Sequence, residues 1–249
     1  MNHLEQVRDY WNKRSNGFSS AINEEADSEL GVEWRARFTG WLGEKPLEIL
    51  DDGAGPGFFT LLLTQLGHRV TSIDYSEQML EHLRDNLAAR GYAANALRMD
   101  AQALAFPDAC FDAVVQRNVL WNLDHPEQAI REIHRMLRPG GTFILSDGNF
   151  YLASHDAEYA AERERRRQAM AARAEAQPRQ PGDHNAHNQE NVNFTIIEKI
   201  AEEQPLSRVR RPQWDLDQLI RLGFYDIEIS IQGDNLPQGF ILVAKKRAV

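Results

Sequence analysis

The sequence has little cysteine, no excess of positive charge and no long apolar segment. Cys110 is the single cysteine among 249 residues, which excludes an internal disulfide framework and a zinc site built from cysteines. Acidic residues number 37 against 28 lysines and arginines, and the resulting net charge of −9 argues against a nucleic-acid or anionic-membrane partner. The longest apolar run, residues 58–63 with Thr60 inside it, is far shorter than a membrane span.

What is present is typical of a globular α/β protein. Hydrophobic residues make up 42% of the chain and charged residues 26%, which is enough to build a core without metals or disulfides. The length suits one large domain, or one domain with a lid. The first residues lack the charged-then-apolar pattern of a signal peptide, so we expect a soluble cytoplasmic protein.

Strand and helix patterns alternate from about residue 46. Apolar residues repeat at helical spacing after each of the first strands, and glycines such as Gly67 and Gly91 follow these helices. Ser76 is a candidate helix cap, and Pro126 suits the first turn of a later helix. Repeated β-α-β units predict a doubly wound, mostly parallel sheet, ending in an antiparallel pair. The seven predicted strands are residues 47–51, 69–73, 96–99, 111–116, 142–145, 225–231 and 239–245.

Two regions fall outside this alternation. Residues 1–45 carry two helical patterns, and residues 151–212 interrupt the sheet before its last helix and two strands. Within the second region, 157–176 has the composition of a charged helix. The polar stretch 177–188 is predicted to be mobile or to become ordered on ligand binding.

Acidic residues end the first three predicted strands. Asp51, Asp74 and Asp100 each precede a turn or a helix start, and in a doubly wound sheet ligands bind beyond these strand ends. Three glycines, at positions 53, 55 and 57, follow the first strand and allow a ligand to touch the backbone. An acid at the end of the second strand can accept hydrogen bonds from both hydroxyls of a ribose. The pattern therefore predicts an adenosine-type ligand.

The glycine spacing and the acid pair narrow the choice of ligand. Dinucleotide-binding enzymes carry GxGxxG, whereas this turn reads GxGxG and follows Asp51 and Asp52. Two carboxylates would repel a pyrophosphate and favour a cationic ligand, and a sulfonium that carries an amino group fits.

Four ordered segments resemble the class I S-adenosylmethionine-dependent methyltransferases, in the branch that acts on small molecules. The segments are ILDDGAGPG (49–57), IDYSEQML (73–80), DAQALAFPDACFD (100–112) and MLRPGG (136–141). The resemblance covers residues 45–150 in detail and 215–249 only in pattern. It implies a Rossmann-like methyltransferase fold, S-adenosylmethionine as cofactor and S-adenosylhomocysteine as product. Its expected parts are a helical lid (1–45), a cofactor-binding core (46–150), an acceptor cover (151–212) and a segment that completes the sheet (213–249).

The resemblance also implies roles for individual residues. The methionine part of the cofactor would lie against Asp51 and the turn, and the ribose against Asp74. The position after the first acid is usually apolar, so Asp52 is expected either to turn to solvent or, as we favour, to meet a cationic group. The full set of implied cofactor residues is Asp51, Gly53, Ala54, Gly55 and Gly57 for methionine, Asp74 for ribose, Tyr75, Met79, Asp100 and Ala101 for adenine, and Gln116 and Arg117 near the methionyl amine.

Methyl transfer from a sulfonium is an in-line displacement, so alignment and water exclusion are the main tasks and a base is needed only for a protonated acceptor. An aromatic and amide lining would suit a flat polar heterocycle, or an amine held by cation–π contact. His184 and His187 beside Asp183 resemble a metal cluster without a third ligand, and no metal site is predicted. The acceptor-site candidates are Tyr10, Trp11, Asn118, Trp121, Asn122, Asp147, Asn149 and Tyr151, with His155, His184 and His187 as possible bases.

Other interpretations of the same residues stay open. Trp11, Trp34 and Trp41 can be helix-packing residues, and Trp121 can cap the sheet. The protein can also be an NAD(P)-dependent oxidoreductase, which the glycine spacing opposes, or a non-catalytic S-adenosylmethionine-binding protein. A monomer and a homodimer are equally compatible with the sequence.

Overall fold

The computed structural model describes residues 3–174, 195–233 and 236–248. Seven strands form one sheet in the order β3-β2-β1-β4-β5-β7-β6, parallel except where β7 pairs antiparallel with β5 and β6. The predicted doubly wound, mostly parallel fold is therefore confirmed. The strands are β1 Glu48–Asp52, β2 Arg69–Asp74, β3 Asn95–Arg98, β4 Phe111–Arg117, β5 Leu137–Gly148, β6 Phe224–Gln232 and β7 Gly239–Lys246.

Helices cover both faces of the sheet and its carboxyl edge. Ser76 caps α4 by accepting a hydrogen bond from the Met79 amide at 3.1 Å, and Pro126 begins α5, both as predicted. Within the described ranges, no helix combines the length and hydrophobicity that a membrane crossing requires. The helices are α1 His3–Asp27, α2 Glu29–Leu42, α3 Phe58–Gln65, α4 Glu77–Ala88, α5 Pro126–Met136, α6 Ala157–Ala174, α7 Thr195–Glu203 and α8 Gln213–Leu222.

The strand order reverses between β1 and β4. β1 pairs with β2 on one side and with β4 on the other, and the connections leave the sheet in opposite directions. This is the switch point at which doubly wound sheets bind ligands. Ile49 and Leu50 of β1 are fully buried on opposite faces and belong to two separate hydrophobic clusters, so the strand end is held rigidly.

The largest difference from the predicted strand boundaries is at the start of β5. β5 begins at Leu137 rather than at residue 142, because Leu137 pairs with Phe111 before a register shift that leads to the Ala113–Thr142 pair. Gly140, with a φ of +79°, supplies the left-handed conformation inside this irregular start. The predicted polar stretch 177–188, with His184 and His187, lies outside the described residues.

A buried ion cluster ties α8 to the end of β5. Arg211 is fully buried, and its Nη1 lies 2.9 Å from Oδ2 of Asp147 while its Nη2 lies 2.6 Å from Oδ1 of Asp215. Asn149 adds two hydrogen bonds to the Arg211 backbone, at 2.8 and 3.0 Å. Burial raises the pKa of Asp147, and the neighbouring guanidinium opposes that rise.

Replacing Arg211 by methionine should destabilise the protein by roughly 3–5 kcal/mol, because two carboxylates would stay buried without a cation. Arg210→Met is the matched control, since Arg210 pairs with Asp156 and Glu158 at the surface. Urea unfolding should show a far smaller change for the control. Equal losses in the free energy of unfolding would show that the buried ion cluster contributes no more than the surface ion pairs of Arg210.

Candidate functional site

A cavity of about 510 Å³ opens at the carboxyl ends of β1, β2 and β4. α1 covers it from one side, and α6, α7 and the short 3-10 helix Leu120–Asn122 close the other. Most predicted site residues lie in its wall, but Gly57, Gln116, Asp147, Asn149 and His155 do not. The predicted residues in the wall are Tyr10, Trp11, Asp51, Gly53, Ala54, Gly55, Asp74, Tyr75, Met79, Asp100, Ala101, Arg117, Asn118, Trp121, Asn122 and Tyr151.

The glycine turn forms a backbone cradle beside the cavity. Gly53 has a φ of +73°, and a Cβ there would lie 2.3 Å from Cγ2 of Val119, so only glycine fits. The amides of Gly53 and Ala54 both donate to the Ile73 carbonyl oxygen, at 2.9 and 2.8 Å, which ties the turn to β2. At Gly55 a Cβ would meet nothing closer than Phe18, at 3.8 Å, so open space lies beside the backbone.

Asp74 lies at the end of β2 with its carboxylate fixed by the backbone. Oδ2 accepts a hydrogen bond from the Gly55 amide at 2.9 Å, and Oδ1 accepts one from the Ser76 amide at 2.8 Å. Each oxygen keeps a further lone pair for a ligand hydroxyl. Burial raises the pKa of Asp74 to about 6.

Asp51 and Asp52 end β1 and are almost completely buried. Thr60 donates to Oδ2 of Asp51 at 2.6 Å, and Gln116 donates through Nε2 to Oδ2 of Asp52 at 2.6 Å. Burial is the main cause that raises the pKa of each carboxyl to about 7. Of the two alternatives for Asp52, the solvent-facing one is excluded, because the side chain is fully buried against Gln116 of β4.

None of the described side chains supplies the cationic group that was expected at Asp52. Its Oδ1 is buried and has no hydrogen-bond partner there, and Asp51, Asp74 and Asp100 add further negative charge around it. An uncompensated acid at the floor of a cavity is costly to keep. This carboxylate is therefore complementary to a positively charged group.

α1 is anchored over the cavity from both ends. Trp11 donates through Nε1 to Oδ1 of Asn122 at 3.2 Å, and Glu25 forms an ion pair with Arg117 at 2.8 Å. Between them, Oδ1 of Asn12 accepts a hydrogen bond from the Ser76 hydroxyl at 2.6 Å. These contacts join residues that are 64 to 111 positions apart, so no local pattern predicts them.

Four rings, those of Trp11, Trp121, Phe150 and Tyr151, form the aromatic half of the cavity wall. The Trp121 ring lies 6.3 Å from Trp11, 5.7 Å from Phe150 and 5.1 Å from Tyr151, measured between centroids. Trp121 is buried, and its indole N–H has no partner among the residues the structure describes. A buried N–H donor of this kind is complementary to an acceptor atom on a ligand. Trp121, named from the sequence as an acceptor-site candidate with sheet capping as the alternative, thus lies in the cavity wall.

Two tyrosines and an ion pair complete this aromatic half. Burial raises the pKa of Tyr151 to about 12 and also raises that of Tyr10, so both phenols are neutral at physiological pH. Arg163 and Glu198, in α6 and α7, face each other at 3.6 Å in the same wall. Sequence reasoning missed both, because only the folded chain brings α6 and α7 to the strand ends.

Some sequence candidates lie elsewhere. Asp147 and Asn149 are committed to the buried cluster around Arg211, which corrects their proposed place in the acceptor site. The ring of His155 is exposed outside the cavity wall, and His184 lies outside the described residues. In the described ranges no group of histidines, cysteines and acids could hold a metal ion.

Known proteins match the core of this chain. A family model described as a methyltransferase domain covers residues 50–145. A malonyl-[acyl-carrier protein] O-methyltransferase from Erwinia pyrifoliae is 42% identical over 101 residues, which is 40% of this chain and 37% of that protein. A demethylmenaquinone methyltransferase from Thermus thermophilus is 37% identical over 117 residues, covering 46% and 53%. The chain thus matches between about a third and a half of the length of these relatives.

Solved structures share the fold over nearly the whole chain. A phosphoethanolamine N-methyltransferase 2 from Haemonchus contortus, in complex with S-adenosylmethionine, superposes with a TM-score of 0.64 at 13% identity, covering 97% of this chain and 60% of that one. An S-adenosylmethionine-dependent methyltransferase from Aquifex aeolicus gives 0.55 at 17% identity, covering 93% and 98%. The core of the chain, residues 50–145, is thus similar to methyltransferase domains, and its fold is shared with solved S-adenosylmethionine-dependent methyltransferases.

Proposed function

We propose that this protein transfers the methyl group of S-adenosylmethionine to a small-molecule acceptor by in-line displacement. The observation that carries the proposal is the division of one cavity into an acidic, glycine-rich half and an aromatic half. A cationic adenosyl cofactor suits the first half and a ring-shaped acceptor suits the second. The reaction would take place in the cytoplasm, in keeping with the single cysteine.

The acidic half offers a partner for each part of the cofactor. Asp74 has free lone pairs for the ribose hydroxyls, Met79 and Ala101 offer apolar surface to the adenine, and the open space at Gly55 admits the methionyl arm. The Arg117 side chain has only donors, so it suits the carboxylate of that arm better than the amine that the sequence resemblance implied. When bound, the cofactor supplies an electrophilic methyl group on a sulfonium.

The aromatic half favours a flat acceptor that carries a hydrogen-bond-accepting oxygen or nitrogen. Its walls are the rings of Trp11, Trp121, Phe150 and Tyr151, and the indole N–H of Trp121 is the donor that such an atom would satisfy. Of the two relatives, the one named for demethylmenaquinone acts on a ring compound, and the other acts on an acyl-carrier protein. The lining supports the ring compound as the nearer analogue.

The side chains would promote the reaction by alignment and by exclusion of water. The leaving group is a neutral thioether and needs no proton. Tyr10 and Tyr151 stay protonated at neutral pH and would donate hydrogen bonds rather than remove a proton. Holding sulfonium and acceptor in line under α1 can supply roughly 7–11 kcal/mol of the barrier.

Two assays test this function together. Calorimetry should show binding of S-adenosylmethionine and S-adenosylhomocysteine but not of NAD. A labelled methyl group should then pass to members of a panel of hydroxylated and amino-substituted ring compounds. Binding without transfer to any acceptor would indicate a non-catalytic cofactor-binding protein, and binding of NAD alone would indicate an oxidoreductase.

Asp74→Ala should weaken S-adenosylmethionine binding at least tenfold, because charge-assisted hydrogen bonds to the ribose are worth about 1.5–3 kcal/mol each. Calorimetry measures the affinity, and circular dichroism checks the fold. Asp226→Asn is the control, since Asp226 pairs with Lys245 at the far edge of the sheet. Unchanged affinity in Asp74→Ala would refute the ribose role.

Trp121→Phe should lower kcat/KM for the acceptor about tenfold and leave the cofactor Kd unchanged. Phenylalanine keeps a smaller aromatic ring in the wall, while the N–H donor that the acceptor would use is lost. Steady-state kinetics with the best acceptor of the panel measure the effect. A parallel loss of cofactor affinity would contradict the assignment of Trp121 to the acceptor half.

A further inference from the structure

Asp52 carries an oxygen that the described part of the chain leaves unsatisfied at the floor of the cavity. Its side chain is fully buried and belongs to the cavity wall, and Oδ2 is occupied by the Gln116 amide at 2.6 Å. Oδ1 has no donor among the described groups. Leaving a buried carboxylate oxygen unpaired is costly, so the position is informative about what enters the cavity.

The surroundings of Asp52 favour a cationic donor as the missing partner. Gln116 holds Oδ2 and leaves Oδ1 as the uncommitted atom, and its own Oε1 also lacks a donor within the described residues. Asp51, Asp74 and Asp100 all place negative charge near this carboxylate. Both unsatisfied atoms are acceptors, so an anionic group would not match, and the negative charge nearby favours a cationic donor over a neutral one.

We propose that Asp52 binds the α-ammonium group of the methionyl arm of S-adenosylmethionine, an assignment that rests on the function proposed above. An ammonium group has three N–H donors, whereas a sulfonium has none and could not satisfy an oxygen acceptor by hydrogen bonding. Asp52 directly precedes Gly53 of the turn along which the methionyl arm is expected to lie. Gln116 acts as a positioning residue that orients the carboxylate from β4.

The test pairs a protein variant with a matching change in the ligand. The ligands are S-adenosylmethionine, S-adenosylhomocysteine, and an analogue of S-adenosylhomocysteine in which hydrogen replaces the amino group. Asp52→Asn keeps the shape but removes the charge and replaces one acceptor oxygen by an NH2 donor, which would face either the Gln116 amide or the ammonium. Asp226→Asn is the charge-matched control, and Asp52→Val repeats the test should the asparagine variant fold poorly. Calorimetry gives each Kd.

Wild-type protein should bind S-adenosylhomocysteine at least tenfold more tightly than its deaminated analogue, and Asp52→Asn should remove most of that difference. S-adenosylmethionine should lose affinity for Asp52→Asn by the same factor as S-adenosylhomocysteine. The thermal midpoint of ligand-free Asp52→Asn at pH 8 should not fall, because the variant removes a buried charge.

Three results would overturn the assignment. Equal losses for S-adenosylhomocysteine and the deaminated analogue would show a merely structural role. A loss confined to S-adenosylmethionine would assign Asp52 to the sulfonium, and no loss for any ligand would remove it from the cofactor site. Failure of wild-type protein to bind all three ligands would instead overturn the proposed function, and the assignment with it.

Discussion

The central constraint on this structure is a group of carboxylates that are buried at the carboxyl edge of the sheet with too few cations to balance their charge. Asp51, Asp52 and Asp74 are desolvated there, and burial raises the pKa of each well above that of a free carboxyl. Burying these charges costs desolvation free energy and does not stabilise the ligand-free protein. Protonation of the acids, or their replacement by apolar residues, would remove that cost. A positively charged ligand that fills the cavity would offset it, and stability is commonly given up at such sites for binding.

The buried acids keep their positions because the elements around the carboxyl edge of the sheet are firmly packed. β1 is packed on both faces, the glycine turn is tied to β2, and Thr60 and Gln116 each satisfy one oxygen of the acid pair. α1 then closes the cavity through contacts to α4, to β4 and to the short 3-10 helix. The result is an enclosed site in which charge interactions are strong and two reactants could be aligned.

Local patterns in the sequence were enough to predict the sheet, the strand-end acids and the glycine turn, because each depends on residues within one β-α unit. The acceptor half was predicted less well. Asp147 and Asn149 lie at the end of β5, as acceptor candidates should, yet both contact the buried Arg211, which is 62 residues beyond Asn149. Glu198 of α7 lies in the cavity wall, although it does not follow a strand and no sequence pattern predicts it there. Contacts between distant segments determine which of these residues reach the cavity, and local sequence patterns do not predict such contacts.

The proton balance of cofactor binding tests the central claim most directly. If the buried acids exist to receive a cation, binding of S-adenosylmethionine lowers their pKa values from about 6 and 7, so protons must leave the protein near pH 6.5. Calorimetry in buffers of different ionisation enthalpy counts them. A net release of protons is expected at pH 6.5, where the amino group of the ligand is already charged. Binding at pH 6.5 with no proton exchange, or with uptake, would contradict the central claim.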